Sequence, residues 1–319
     1  MSVVTPFFNT DKYLSECIES VLNQSYRNWE YILVNNRSTD RSLEIARSYA
    51  EKEPRIHIFE NDVFLTQIQN YNRALRLISP QSQYCKIVQA DDWIFPNCLT
   101  EMIAVAERNP SVGIVGAYRL DDKQINCDGL PYPSTVVSGK HISRLYLLER
   151  VFVYGSPTSV LFRSNIVRNR NSFYAESTYY ADTAACTEIL QSWDFGFAHQ
   201  VLTFTRRENE SISTVIRRFD PQYLLNYLVI LLKYGRNVLN EAEYQECLRN
   251  AETQYYQFLG RKLWSRNRRK FLNYHIEGLK DAHYQLRFSK MLRYAFCEFG
   301  HIILDPKRVM GRFLRSGYF

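Results

Sequence analysis

Residues 29–34 read Trp29-Glu30-Tyr31-Ile32-Leu33-Val34, residues 35–40 read Asn35-Asn36-Arg37-Ser38-Thr39-Asp40, and residues 41–50 place Leu43, Ile45, Ala46 and Tyr49 among polar neighbours. An apolar run of strand length, a polar turn and a helical pattern follow one another, which is half of a strand–helix–strand unit. The same unit recurs outward. Upstream, Ser2–Thr5 reads as a strand ending at Pro6. Asp11–Gln24 then sets Leu14, Cys17, Ile18, Val21 and Leu22 on one helix face, with Asn9 or Thr10 as its cap. Downstream come a strand at Ile56–Phe59, a helix at Thr66–Ile78, a strand at Cys85–Gln89, a helix at Leu99–Arg108 and a strand at Val112–Ala117. Such alternation predicts an α/β domain with a mostly parallel twisted sheet flanked by helices and right-handed crossovers. In such sheets ligands bind outside the carboxyl ends of the strands. The polar clusters Pro6–Thr10, Asn35–Asp40, Asn61-Asp62 and Asp91-Asp92 all fall at those ends.

Residues 120–160 hold Gly129, Pro131, Pro133, Gly139 and Gly155 and read as loop with one helix near Ile142–Arg150. Ser159–Phe162 and Phe195–Thr205 read as strands and Thr183–Gln191 as a helix. From Asp220 the pattern is helical only, over Pro221–Leu239, Glu241–Arg266, Lys270–Arg287 and Ser289–Leu304. A domain over residues 1–217 and a helical region over 218–319 are therefore expected.

The 319 residues are 45% hydrophobic and 23% charged, which suits a globular core and excludes a disordered chain. Seven cysteines, dispersed and without a C-x-x-C pair, argue against a zinc site or disulfide framework and for a reducing compartment. The start, Met1-Ser2-Val3-Val4-Thr5-Pro6, has no signal-peptide pattern, and the longest apolar stretch, Tyr223–Tyr234, is too short to span a bilayer. Charge is uneven. Residues 261–319 carry 14 Lys/Arg and 4 Asp/Glu, net +10, whereas residues 1–260 are net −3, for a whole-chain +7. The basic end is read as a solvated helix face or as a surface for an anionic membrane, because Phe, Tyr and Leu interleave with Arg. No nucleic-acid-reading motif accompanies it.

Asp91-Asp92 follows the apolar Lys86-Ile87-Val88. Adjacent carboxylates repel unless a cation or strong donors offset them, and hard oxygens suit Mg²⁺ or Mn²⁺ bridging to a diphosphate. The alternative is that Asp91 holds a turn, or that Asp92 caps the helix after Pro96. No Gly-x-Gly-x-x-Gly or Gly-x-x-x-x-Gly-Lys occurs, so dinucleotide and P-loop folds are disfavoured, as is a nucleotidyltransferase with a Gly-rich loop after the first strand.

Taken together, Val3-Val4-Thr5-Pro6-Phe7-Phe8-Asn9, Ser20-Val21-Leu22-Asn23-Gln24-Ser25-Tyr26, Val34–Asp40, Tyr71-Asn72 and Gln89-Ala90-Asp91-Asp92 resemble, in this order, the inverting glycosyltransferase family two with its GT-A fold. The resemblance covers about residues 2–215. It implies transfer of a sugar from a nucleotide-diphosphate sugar, UDP-linked, to a hydroxyl of a saccharide or lipid-linked acceptor, with inversion, in cell-surface polysaccharide or glycan synthesis. That is EC 2.4 chemistry; the lack of a signal pattern and the basic end set the expected location as the cytoplasm, with a peripheral site at the inner face of the membrane as the further option. Pro6, Phe8, Asn9, Asn36, Ser38, Asn72, Asp91 and Arg206 are implied to line the nucleotide-sugar site, and Asp91 and Asp92 to hold Mn²⁺ or Mg²⁺. Gly155–Arg163 followed by Tyr180-Ala181-Asp182 aligns Asp182 with the family's base, which takes the acceptor proton; the plain reading is a helix N-cap. Glu176 and Glu188 are reserves. Arg206 would neutralise the leaving diphosphate, or else pair with Glu208 or Glu210. Trp93 shapes the donor pocket or fills the core.

Four of the departures from the family bear on activity. Asn35 and Asn36 stand where acids contact the nucleoside, Gln89 replaces the first acid of the metal motif, and Ala181 replaces a Glu. These departures also admit a non-catalytic nucleotide-sugar-binding or scaffold protein.

Overall fold

A computed structural model of the chain describes residues 1–178, 180–207, 219–221, 223–263 and 268–304, with side chains as far as residue 296. The chain divides into two compact units, Met1–Ser211 and Ile212–Phe319. The boundary expected near 217 falls among residues 208–218, outside the described residues.

In the first unit, β1 (Ser2–Phe7), β2 (Glu30–Asn35), β3 (Ile56–Glu60) and β4 (Tyr84–Ile87) alternate with α1 (Leu14–Leu22), α2 (Ser42–Ala50) and α3 (Gln67–Arg76). β1 is buried throughout, as a strand covered on both faces must be. Its proline is tolerated by position. Val4 O accepts from Val88 N and Phe7 O from Asn36 N, so alternate residues face β4 and β2. Pro6 therefore faces the β4 side, beyond the last β1–β4 pair, Val4↔Ile87, where no ladder N–H is needed. α1 buries Leu14, Cys17, Ile18 and Val21, the periodic positions of its sequence. α3 starts at a capping box in which Thr66 and Gln69 satisfy each other's backbone N–H groups.

β5 (Trp93–Ile94), α4 (Cys98–Arg108), β6 (Val112–Asp121), β7 (Gln124–Asn126), β8 (Val136–Val137), α5 (Gly139–Glu149), β9 (Val160–Arg163), α6 (Ser164–Arg168), α7 (Ala181–Ile189) and β10 (Asp194–Thr205) complete the unit. Among the described residues the strands form one ten-stranded sheet, ordered β3-β2-β1-β4-β9-β6-β10-β5, with β7 on β6 and β8 on β10. The pairs β1–β2, β1–β4, β2–β3 and β6–β10 are parallel. β9 lies antiparallel between β4 and β6. The expected α/β sheet is present, with antiparallel strands added in its second half. Of these, β5, β7 and β8 are two- and three-residue strands too short to leave a periodic signature, whereas β9 is the strand expected at Ser159–Phe162.

The second unit is helical throughout its described elements, α8 (Leu224–Val238), α9 (Glu241–Lys262), α10 (Arg268–Lys280) and α11 (Phe288–Leu304). Asp220 caps α8 through the amides of Leu224 and Leu225, at 2.8 and 3.0 Å. The α9 N-terminus carries an Asn240/Glu243 capping box. α10 ends at Lys280, earlier than its sequence pattern suggests, in a turn with His283 at φ +50°. Buried His275 donates from Nε2 to Phe219 O (3.1 Å) and so accepts at Nδ1 from the Tyr255 hydroxyl (3.0 Å). Burial holds its pKa down at about 4, so it is neutral in the folded unit at pH 7.

Candidate active site

The carboxyl ends of β1, β2 and β3 are tied by their polar turns. Asn9, at φ +49°, is in the left-handed region that Asn tolerates. Its amide N–H donates to Ser38 Oγ (3.1 Å), and its Oδ1 accepts from the Thr39 amide (2.8 Å). Asn35 Oδ1 accepts from the Ser38 amide at 2.9 Å and closes the β2 turn. Asn36 is buried and makes three side-chain hydrogen bonds. Its Oδ1 accepts from Leu65 N and Asn61 Nδ2, both at 2.9 Å, and its Nδ2 donates to Leu65 O at 2.8 Å. The loop so fastened exposes Val63 and Phe64, and Phe64 meets the exposed Phe8 ring edge-to-face at 4.9 Å.

Beyond β4 the chain turns at Gln89–Asp92, with the Asp92 amide donating to Gln89 O at 2.9 Å. Asp92 is only 2% exposed. Its Oδ2 accepts from Thr158 Oγ1 (2.6 Å) and Thr205 Oγ1 (3.2 Å), and its Oδ1 from the Arg206 amide (3.1 Å). It therefore caps no helix; the residue before α4 is Asn97. Burial, with the neighbouring Asp91 charge adding to it, pushes the Asp92 carboxyl up to about 7. Asp91 is half-buried at the same turn.

The turn Gly155–Ser159 joins this pair to α7. Gly155 sits against the Phe152 ring, where a Cβ would lie 2.1 Å from a ring carbon, and Ser156 follows at φ +61°. The second of these is a strained backbone held by its surroundings. Ser156 Oγ donates to Gln89 Oε1 at 3.2 Å, Gln89 Nε2 donates to the buried Tyr71 hydroxyl at 3.0 Å, and the Gln89 amide donates to Thr158 Oγ1 at 3.1 Å. Asp182, the second residue of α7, accepts from the Thr183 amide at 2.8 Å and from the Ser156 backbone. Tyr180, not Asp182, precedes the helix, so Asp182 is no N-cap. Burial raises its carboxyl pKa, against those hydrogen bonds and the Arg119 charge. The carboxylates share one neighbourhood. Burial raises the Tyr71 phenol pKa, and the charges of Asp91, Asp92 and Asp182 all add to that rise.

Arg206 lies across the turn. Its Nε donates to Asp91 O (3.3 Å), its guanidinium pairs with Glu16 (2.5 Å), and it stacks over the Tyr13 ring at 4.5 Å. Glu208 and Glu210 lie outside the described residues. Trp93 stacks on Phe204 at 4.7 Å, on the β5–β10 pair. Asn72 clasps the 172–176 segment, donating to Ser172 Oγ (2.7 Å) and Tyr174 O (2.8 Å) and accepting from Tyr174 N (2.8 Å). Exposed Glu176 accepts from Gln69 Nε2 at 3.1 Å, and Glu188 pairs with Arg170 at 3.2 Å.

The carboxylate pair fits a hard divalent cation unequally. Asp92 has one lone-pair direction left, on Oδ1, while Asp91 is only half-buried. The like-charge repulsion between them is what such an ion relieves. Among the described residues no group of three or more His, Cys, Asp or Glu side chains could hold a metal, so further ligands would be substrate oxygens and water.

Sequence reasoning missed Lys86, Arg119, Thr158 and Ser156, which hold the site together. A lysine inside the apolar Tyr84–Val88 run was the one available signal, since buried lysines are rare.

Comparisons with known proteins agree on the family. The family model described as Glycosyl transferase family 2 matches residues 2–175. Glycosyltransferase GlyG of Streptococcus pneumoniae serotype 4 is 34% identical over 129 residues, which are 40% of this chain and 42% of GlyG. An uncharacterized glycosyltransferase of Haemophilus influenzae is 25% identical over 254 residues, 75% of this chain and 78% of that one. The chain thus spans less than half of GlyG's length. Among solved structures, S. aureus TarS in complex with UDP-GlcNAc superposes with a TM-score of 0.64 at 18% identity, covering 88% of this chain and 81% of that one. The mannosyltransferase PcManGT from Pyrobaculum calidifontis, in complex with GDP-Man and Mn²⁺, gives 0.56 at 16% identity, covering 98% and 82%. The fold is the GT-A-like arrangement of these enzymes.

Proposed function

This chain belongs to glycosyl transferase family 2, and on that premise we propose that it transfers a sugar from a nucleotide-diphosphate sugar, UDP-linked, to a hydroxyl of a saccharide or lipid-linked acceptor with inversion. The observation that carries this reading is the shared environment of Asp91, Asp92 and Asp182 around Tyr71 and the Gly155–Ser159 turn. The nucleoside would sit at the ends of β1 and β2, beside Phe8, Asn9 and Ser38. The diphosphate would approach Asp91 and the guanidinium of Arg206. Mn²⁺ or Mg²⁺, held by Asp91 with a smaller share from Asp92, supplies charge neutralisation of the diphosphate when bound.

Asp182 takes the proton of the acceptor hydroxyl. That oxygen bonds to the anomeric carbon as the bond to the diphosphate oxygen breaks on the opposite face, and the leaving nucleoside diphosphate carries the electron pair away. A carboxylate whose pKa is raised by burial is the stronger base for this step. The two neighbouring acids are anchored unequally, and this suits their roles. Protein donors fix the buried Asp92, whereas Asp91 is half-buried at the same turn.

Among the described residues no helix is long and apolar enough to cross a membrane. A peripheral site on an anionic membrane, where cell-surface glycan acceptors are assembled, is supported by the net +10 of residues 261–319 and by the exposed stripe Phe288, Leu292 and Phe296 on α11.

A second reading, donor binding without transfer, is favoured by Asn35, Asn36, Gln89 and Ala181 standing where the family carries acids. A thermal-shift screen of UDP-, GDP- and dTDP-sugars with and without Mn²⁺, on wild type and Asp91→Ala, tests donor binding. A metal-dependent shift lost in Asp91→Ala is expected. A shift equal in both proteins contradicts the metal assignment. Binding with no turnover on any donor selects the second reading.

A further inference from the structure

Lys86 is fully buried in the central strand β4, with no carboxylate within ion-pair distance among the described residues. A charged or even neutral amine in a core requires acceptors, and Lys86 has two backbone carbonyls. Its Nζ donates to Thr158 O at 2.6 Å and Val160 O at 3.2 Å, with Met102 Sδ at 3.8 Å. The reason these carbonyls are available is topological. The β4–β9 ladder consists of Tyr84↔Arg163 and Cys85↔Phe162 and stops there. The next stretch of chain, the turn leading into β9, has left the strand, and the lysine side chain bridges the gap.

That turn is the hub of the site. Thr158 Oγ1 holds Asp92, the Ser156 hydroxyl holds Gln89, and the Ser156 backbone holds Asp182. A second buried cation clamps the same turn from β6. Arg119 donates from Nη1 to Gly155 O (3.2 Å) and Ser159 Oγ (3.5 Å), while its other nitrogens are fixed by Asp121 at 2.5 and 3.0 Å. The turn also contains the left-handed Ser156, a conformation that persists only when its neighbours enforce it.

We propose that Lys86 is a positioning residue for the transfer reaction: by pinning the carbonyls of Thr158 and Val160 it fixes the turn that sets Asp92 and Asp182 relative to one another. The inference rests on the transferase reading and deepens it. Lys86 touches neither donor nor acceptor; it acts through Thr158. Loosening the turn moves the base against the bound donor, so the loss falls on the rate of the bound complex rather than on donor affinity. Restoring a neutral donor at position 86 recovers rate, because the carbonyl contacts need an N–H and not a charge.

The test uses the full chain and compares Lys86→Met, Lys86→Gln, Thr158→Val and the Lys86→Met/Thr158→Val double variant. It measures kcat by nucleoside-diphosphate release, UDP affinity with Mn²⁺ by calorimetry, and Tm, with kinetics run well below the lowest Tm. Lys86→Met is expected to lose at least about 20-fold in kcat with UDP affinity within about threefold of wild type. Lys86→Gln is expected to regain a substantial part of the loss. The double variant is expected to fall no more than about twofold below Lys86→Met, because both changes cut one path. If Lys86→Met does not fold, Thr158→Val alone must show the same kcat-only loss. Wild-type kcat in Lys86→Met, no gain in Lys86→Gln, or multiplicative losses in the double variant would overturn the inference while leaving the transferase reading intact. A wild type that turns over no donor overturns both.

Discussion

Gln89 Oε1 accepts a hydrogen bond from Ser156 Oγ at 3.2 Å, so the residue that replaces an acid at the head of the Gln89-Ala90-Asp91-Asp92 motif is wired to the turn that carries Asp182's backbone partner. Its Nε2 reaches the Tyr71 hydroxyl on α3 at 3.0 Å. A neutral amide, with one donor end and one acceptor end, makes both contacts, and a carboxylate could not donate to Tyr71. Gln89→Leu is predicted to cut turnover about 10-fold, and Gln89→Asp to cost more, because it adds a third negative charge beside Asp91 and Asp92. Steady-state rates of the two variants check this. A Gln89→Asp variant faster than wild type would mean the amide is a degenerate acid.

Stability should carry the imprint of Asp92. Its carboxyl titrates near 3.8 ordinarily and about 7 in the folded chain. Between those values the folded state holds more protons than the unfolded one, so this residue's contribution falls as pH rises through the window. Asp92→Asn does not titrate. Without divalent metal, the stability of wild type relative to Asp92→Asn is predicted to decrease from about pH 4.5 to about pH 7.5, by an amount on the order of a few kcal/mol. Paired denaturant titrations across that range measure it. A gap that stays flat would remove the buried, repelled carboxylate from the account.

The helical unit should bind anionic bilayers. Phe288, Leu292 and Phe296 recur every four residues on α11 and are 51%, 48% and 66% exposed, an apolar stripe on the most basic stretch of the chain. Cosedimentation with phosphatidylcholine vesicles containing about 30% phosphatidylglycerol is predicted, weakening as salt rises to about 0.5 M. Leu292→Asp/Phe296→Asp should lower the bound fraction severalfold at fixed salt. Binding that ignores both the lipid charge and the two substitutions would count against the surface.

The α/β order of the first unit was legible because its signals are local. A buried parallel strand is an apolar run, an amphipathic helix has its period, and the polar turns between them collect at one end of the sheet. The Asp91-Asp92 pair and Asp182 could be singled out by type and order. What each touches could not, because Thr158, Thr205 and Arg206 reach Asp92 across separations of 66, 113 and 114 residues. Asn72 illustrates the converse. Its place in the motif pointed to the donor, and its side chain holds Ser172 and Tyr174, a pairing that no spacing reveals. The antiparallel insertion of β9 between β4 and β6 was equally invisible, and it is this insertion that brings the Gly155–Ser159 turn to the carboxylates.

The most direct test of the central claim is a comparison of wild type with Asp182→Asn for donor affinity and for nucleoside-diphosphate release in the presence of acceptor. The account predicts affinity within about threefold and turnover reduced by at least about 100-fold, the span expected for loss of a general base. Full turnover in Asp182→Asn would contradict it.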